Sequence, residues 1–305
     1  MNNLKNNNVL CTSIHSGSIN YLNEWWISVL NQTNLDFDIV FSIDGIDFDL
    51  DKLLPGHERF NIKLFCFHEN KTIGEIRNKL IKYCSENYEK VIFVDSDDIL
   101  AKNRVSKSLD SLDRFDFTFC KAYLIDEESN ELPWVLKRSL SIKDICEFNS
   151  FGLSNSNYKS FVLREILPIP VDCKIVDWFI ATLAFLFRYK YGYIDETFMQ
   201  YRIYEHNVTK VIPPFNQNDI NIKTNYVLNH LDFVMDAINK SSNRILENDI
   251  KTFKDRQNLV QEFHFTFSND IENAKNYVNL LNKYLLENNI HEISWWNVVA
   301  NSEIM

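Results

Sequence analysis

A chain of 305 residues with 45% hydrophobic and 14% aromatic content, including 23 Phe, has the apolar surface for a sizeable folded core and is not a disordered polymer. Its formal net charge of −10 at pH 7 argues against broad nucleic-acid binding, which needs a basic face, while leaving room for a local basic pocket. The six cysteines (Cys11, Cys66, Cys84, Cys120, Cys146, Cys173) form no CxxC pair, which points to reduced structural thiols rather than a zinc site or a disulfide framework.

The opening M-N-N-L-K-N-N-N lacks the apolar centre of a signal peptide. Strands and helices then alternate through the first ~125 residues, the pattern of βαβ units and a mainly parallel sheet. Val9–Ile14 reads as a first strand, followed by a helix with Leu22, Trp25, Trp26, Val29 and Leu30 on one face and Asn20 as its cap. Ile39–Ile43 and Ile62–Phe67 are the next strands, and Ile73, Ile76, Leu80 and Ile81 mark a helix. Val91–Val94 is a short buried strand, Val105, Leu109 and Leu112 lie at helical spacing, and F-D-F-T-F-C-K-A-Y (115–123) alternates as a strand. Residues 126–175 read mostly as loop. The longest apolar stretch, I-V-D-W-F-I-A-T-L-A-F-L-F (175–187), carries Asp177 and is too short to span a bilayer, and a buried helix reads at Val176–Tyr189.

F-M-Q-Y-R-I-Y (198–204) reads as a strand, and Pro213–Pro214 is a natural boundary. Beyond it, three amphipathic helices follow, built on Ile220/Val227/Leu231/Val234/Ile238, Ile250/Phe253/Val260/Phe263/Phe267 and Ile271/Ala274/Val278/Leu281/Leu285. The division expected is an α/β domain at 1–212 and a helical C-terminal region at 213–305. That region is expected to shape the acceptor side without touching nucleotide, with Trp295–Trp296 in its core. A cytoplasmic protein is the expectation, with peripheral contact at the inner face of the membrane as the weaker alternative.

The chemistry concentrates at strand ends, where open α/β sheets bind ligands. The fourth strand runs into D-S-D-D (95–98). In extended chain Asp95 and Asp97 project to one side, roughly 7 Å apart, and two like charges held so close call for a cation. Plain turn chemistry is the competing reading, since Asp is a good turn former. The first strand ends in T-S-I-H-S-G, the second in S-I-D-G and the third in F-H-E-N-K. No GxGxxG or GxxxxGK[ST] is present, which weakens dehydrogenase and P-loop readings and leaves a metal on Asp95/Asp97 as the partner for substrate phosphates.

N-Y-L-N-E-W-W-I-S-V-L-N-Q-T (20–33), S-I-D-G, T-I-G-E-I-R-N-K-L (72–80) and then D-S-D-D come in an order that resembles family 2 glycosyltransferases. I-V-D-W-F (175–179) and Y-R-I-Y-E-H-N (201–207) look like that family's later acidic motif and its Y-R-x-H segment. The resemblance covers about residues 9–210. It implies a GT-A fold, Rossmann-like with a mainly parallel sheet flanked by helices, here with an all-helical C-terminal appendage. It also implies transfer of a sugar from a nucleotide-diphosphate donor to a glycan or glycoconjugate, with Mn2+ or Mg2+.

Carried over residue by residue, the resemblance places Ser13, His15, Asp44, Arg77, Asp95 and Ser96 against the nucleotide sugar. It places Asp95, Asp97 and His206 on the metal, and Asp177 as the base. The departures are S-I-H-S-G in place of the usual P-T-Y-N, a single Asp44, Val176 before Asp177 in place of an acidic pair, and Tyr204 at the His position of Y-R-x-H. Each assignment has a structural alternative: a D-G turn for Asp44, a surface cation for Arg77, a helix cap for Asp98 and for Asp177, and a structural histidine for His206. Two other functions compete with an inverting glycosyltransferase. A sugar nucleotidyltransferase would need a basic, Gly-rich first loop that residues 13–18 lack, and a nucleotide-sugar-binding module without turnover is the non-enzymatic reading.

Overall fold

The computed structural model describes residues 6–68, 71–204, 207, 210–287, 292–301 and 304. β1 (Asn8–His15), β2 (Asp38–Asp44) and β4 (Lys90–Phe93) are buried over almost their whole length, which requires cover on both faces of the sheet. β1 pairs in parallel with β2, and β2 with β3 (Ile62–Phe67). The chain then returns to lay β4 on the other side of β1, again in parallel. The intervening helices are α1 (Leu22–Leu30), α2 (Leu50–Leu53) and α3 (Ile73–Asn87). α1 buries Trp25 and Trp26 beside Phe41 and Phe60. It is not capped by Asn20: Tyr21 takes the capping position without a side-chain bond. The helix instead grows out of a turn in which Tyr21 N–H bonds Ser18 O and Trp25 N–H bonds Tyr21 O, so no asparagine is needed there.

The second half of the sheet is mixed. After β5 (Ile99–Leu100) and α4 (Arg104–Arg114) come β6 (Phe117–Ile125), β7 (Glu131–Leu136), α5 (Ile142–Glu147), β8 (Ser156–Lys159), α6 (Ser160–Ile166), α7 (Val176–Leu186) and β9 (Tyr191–Arg202). β8 slots antiparallel between β4 and β6, and β9 runs parallel to β6. Residues 126–175 are thus richer in structure than their text suggests. β8 is polar (S-N-Y-K), yet buried, because Asn157 is satisfied on both ends of its amide: it accepts from Arg104 at 2.8 Å and donates to Thr118 Oγ1 at 3.0 Å. α7 stops at Leu186, short of the expected Tyr189, just before Arg188 takes φ 62°. β9 begins at Tyr191, several residues before the expected start, because Tyr191–Ile194 pair with Phe117–Cys120 of β6.

Beyond Pro213–Pro214 come α8 (Gln217–Lys240), α9 (Glu247–Asn269) and α10 (Ile271–Glu287). Their apolar stripes are buried as expected, except that Ile250 of α9 is half-buried and Ile271, at the start of α10, is 70% exposed. The last residues come back to the sheet. β10 (Glu292–Ile293) pairs in parallel with β7, giving the order β10-β7-β6-β8-β4-β1-β2-β3, with β9 lying beside β6 and β5. The tail is tied down by Lys223 Nζ to Trp295 O at 2.8 Å, Tyr277 OH to Val298 O at 2.8 Å, and Arg256 to the carbonyls of Val299 and Ala300. Trp178 of α7 is stacked on His230 of α8 and on Trp296 of the tail, so the helical region fixes α7 directly. Among the described residues no helix is long and apolar enough to cross a membrane.

Candidate active site

The chain leaves β1 toward β2 on one side and adds β4 on the other, so the carboxyl ends of β1 and β4 flank a topological switch point, where α/β sheets open a crevice. Ser13 and His15 stand at the end of β1, and His15 is in register with Asp44 at the end of β2. The Ser13 hydroxyl meets that of Ser42 at 2.5 Å, and His15 Nδ1 accepts the Gly17 N–H at 3.1 Å.

β4 ends at Phe93, and D-S-D-D forms a turn rather than extended chain, closed by Asp98 N–H to Asp95 O at 3.3 Å. Its side chains nevertheless alternate. Ser96 and Asp98 are buried, Ser96 donating to Ser13 O at 2.7 Å and Asp98 accepting the Arg202 N–H at 2.8 Å. Asp98 is therefore no helix cap: it ties the turn to β9. Asp95 and Asp97 are half-buried and face a cavity of about 240 Å³.

The opposite wall starts with α3. Thr72 and Glu75 form a reciprocal capping box at its N-terminus. Gly74 lets the helix abut the 168–171 segment: a Cβ there would lie 2.5 Å from Val171 O and 2.6 Å from Pro170 O. Asn78 then grips both sides of the Ile169 backbone, donating to its carbonyl at 2.6 Å and accepting its N–H at 2.8 Å. The residue before it, Arg77, turns into the cavity and pairs with Asp95 at 2.9 Å. By holding 168–171, α3 sets where α7 begins, and Asp177 sits in the first turn of α7 facing the same cavity. Asp177 is not the cap, a position held by Ile175; its Oδ2 accepts the Asn149 amide at 2.9 Å.

The electrostatics of the cavity follow from burial. Desolvation raises the Asp97 carboxyl, the charge of Asp95 raises it further, and the Tyr204 hydroxyl, donating to Asp97 Oδ2 at 2.6 Å, pulls it back. Asp98 is driven well above the ordinary carboxylate range, by burial first and by its two acidic neighbours next. Burial pushes Asp177 up to about 7, opposed by the backbone N–H groups at the start of α7 and assisted by Asp95. A buried carboxyl held near neutrality can exchange a proton at physiological pH.

Ser13, His15, Asp44, Arg77, Asp95, Ser96, Asp97 and Asp177 all line this one cavity. His206 lies outside the described residues. Sequence reasoning passed over Tyr204 as the partner of Asp97, Ser154, whose hydroxyl accepts the Asp95 N–H at 2.8 Å, Asn149, and two aromatic wall residues, Tyr201 and Trp295. Trp295 belongs to the C-terminal region that was expected to stay clear of the nucleotide site. For Ser154 and Asn149 the sequence gives no signal beyond small polar residues interleaved with Phe151 and Leu153 in a segment read as loop. Among the described residues no group of three or more His, Cys, Asp or Glu is arranged to hold a metal. Asp95 and Asp97 supply two hard oxygen donors in one cavity, a set whose chemistry suits a Mg2+- or Mn2+-type ion.

Residues 14–168 match the profile of glycosyl transferase family 2, just over half of the chain. The chain belongs to that family. The matched span takes in the first helix, the Arg77–Asn78 pair and D-S-D-D, and it ends before Asp177, Tyr204 and Trp295. A Rickettsia bellii (strain RML369-C) protein described as an uncharacterized glycosyltransferase is 26% identical over 209 residues, covering 67% of this chain and 30% of the relative. The family 2 chain thus spans less than a third of that relative's length. Among solved structures, Staphylococcus aureus TarS 1–349 in complex with UDP-GlcNAc superposes with a TM-score of 0.58 at 16% identity, over 94% of this chain and 83% of that one. The mannosyltransferase PcManGT from Pyrobaculum calidifontis, in complex with GDP-Man and Mn2+, gives 0.55 at 10% identity, over 83% and 74%. These likenesses establish a GT-A fold with a helical C-terminal region.

Proposed function

We propose that this family 2 chain transfers a sugar from a nucleotide-diphosphate donor to a hydroxyl of a glycan or glycoconjugate, by a metal-dependent, inverting displacement. The observation that carries the reading is that Asp177 shares one cavity with Asp95, Asp97 and Arg77, close enough to feel the charges of Asp95 and Arg77. The complexes of TarS with UDP-GlcNAc and of PcManGT with GDP-Man and Mn2+ support a nucleotide-sugar donor and a divalent cation for the same fold.

Ser13, His15 and Asp44 line the end of the cavity that would take the nucleoside, Asp44 accepting hydrogen bonds from base or ribose. Asp95 and Asp97 would hold Mn2+ or Mg2+, which supplies countercharge to the departing diphosphate. Arg77 adds a fixed positive charge beside Asp95. Asp177 takes the acceptor's hydroxyl proton as that oxygen bonds the anomeric carbon and the bond from carbon to diphosphate oxygen breaks. One displacement of this kind inverts the anomeric centre. Asn149 keeps the Asp177 carboxylate oriented for it.

The test is a panel of nucleotide sugars with simple glycan acceptors, reading transfer and nucleoside diphosphate release in the parent and in Asp177→Asn. Metal-dependent transfer in the parent alone supports the reading. Nucleotide-sugar binding without any transfer in either protein would favour a binding module instead.

A further inference from the structure

The paired tryptophans near the C-terminus have separate surroundings. Trp296 stacks on Trp178 of α7, with ring centroids 5.9 Å apart. Trp295 lies against the catalytic cavity, where it meets the edge of Tyr201 at 5.4 Å and is only 7% exposed. It is delivered there by construction: β10 anchors the preceding residues to β7, and the buried Lys223 binds the Trp295 carbonyl at 2.8 Å.

Gly152 shows how closely the indole is fitted. Its backbone, φ −59° and ψ 152°, is open to any residue, so conformation does not demand glycine. Space does: a Cβ at 152 would stand 2.8 Å from Trp295 Cη2. Two residues on, Ser154 accepts the Asp95 N–H, so the turn that carries the indole's contact also positions a diphosphate-facing carboxylate. Tyr201, on which the indole rests, lines the same cavity as Asp95, Asp97 and Asp177.

We propose that Trp295 forms the floor against which the pyranose ring of the donor packs, making the C-terminal segment part of the donor-sugar subsite. The inference rests on the nucleotide-sugar reading above. A pyranose presents an apolar C–H face, and a rigid, mostly buried aromatic beside convergent polar groups is the surface that holds it in one orientation. The helical region is then an integral wall of the site, because Lys223, Tyr277 and Arg256 hold the tail that carries this residue.

The experiment is calorimetric titration, with Mn2+, of UDP against UDP-GlcNAc and of GDP against GDP-mannose into the parent, Trp295→Ala and Trp295→Leu. Trp295→Leu keeps most of the buried volume and removes the flat aromatic face, so it answers the question if truncation to Ala unfolds the tail. Expected is an affinity for the nucleoside diphosphate within about 2-fold of the parent, and a 5- to 20-fold loss for the corresponding nucleotide sugar. Equal losses for both ligands, or no loss for the sugar-bearing one, would overturn the proposal, the second result moving Trp295 to the acceptor side or to a purely structural role. Binding of neither nucleotide by the parent would remove the underlying reading, and this inference with it.

Discussion

Asn149 donates its side-chain amide to Asp177 Oδ2 at 2.9 Å, holding the candidate base by one oxygen. Asp177→Asn keeps the size of that side chain and removes its ability to take a proton. It is expected to lower transfer by about 10²-fold or more, the scale of general-base removal. Nucleotide affinity should stay at the parental level by calorimetry. Near-parental transfer in a folded Asp177→Asn protein would take Asp177 out of the chemistry.

The same carboxyl sets a pH dependence. Its value in the folded protein is about 7, above the ordinary 3.8, so the base form is scarce in mild acid and transfer should rise with pH through about 7. Stability runs the other way. The folded state holds this proton where the unfolded chain has lost it, so the associated stability is fully present below about 4 and is lost as pH rises through about 7. Asp177→Asn should therefore gain stability relative to the parent at pH 8 more than at pH 4, measured by urea unfolding at both values.

The Tyr204 hydroxyl supports the charged form of Asp97. Tyr204→Phe leaves Asp97 easier to protonate and is expected to weaken Mn2+ binding in the presence of nucleoside diphosphate by about 10-fold, the scale of a hydrogen bond to a charged group. Electron paramagnetic resonance of free Mn2+ reads this without turnover. An unchanged Mn2+ affinity would mean that the bond does not serve the metal.

Gly74→Ala places a methyl 2.5 Å from Val171 O, against backbone that cannot rotate away. The 168–171 segment must retreat, breaking the Thr72 Oγ1 to Val171 O bond of 2.6 Å. A loss of about 1–3 kcal/mol is expected from overpacking of this kind, together with slower transfer because the segment leads into α7. Equilibrium urea unfolding checks the first part, and a parental midpoint would contradict it.

The parallel half of the fold was legible because strands covered on both faces must be apolar throughout, as Val9–Ile14 and Ile39–Ile43 are. D-S-D-D was legible as chemistry because adjacent carboxylates at a strand end have few structural uses, although the turn that presents them is not extended chain. β8 was hidden because a polar strand is stable only once Arg104 and Thr118 are in place around Asn157. Ser154 and Trp295 were hidden for a related reason. Their neighbours at the site come from the D-S-D-D turn, β9 and the cavity wall, contacts that exist only after the sheet is assembled.

The central claim, that Asp95 and Asp97 bind a nucleoside diphosphate through a divalent cation, is tested most directly by titrating UDP and GDP into the parent and Asp97→Ala, with Mn2+ and with EDTA. One of the two nucleotides should bind the parent at least about 10-fold more tightly with Mn2+, and Asp97→Ala should lose that difference while keeping its thermal midpoint, because its countercharge site is gone. Equal affinity with and without Mn2+ in the parent would contradict it.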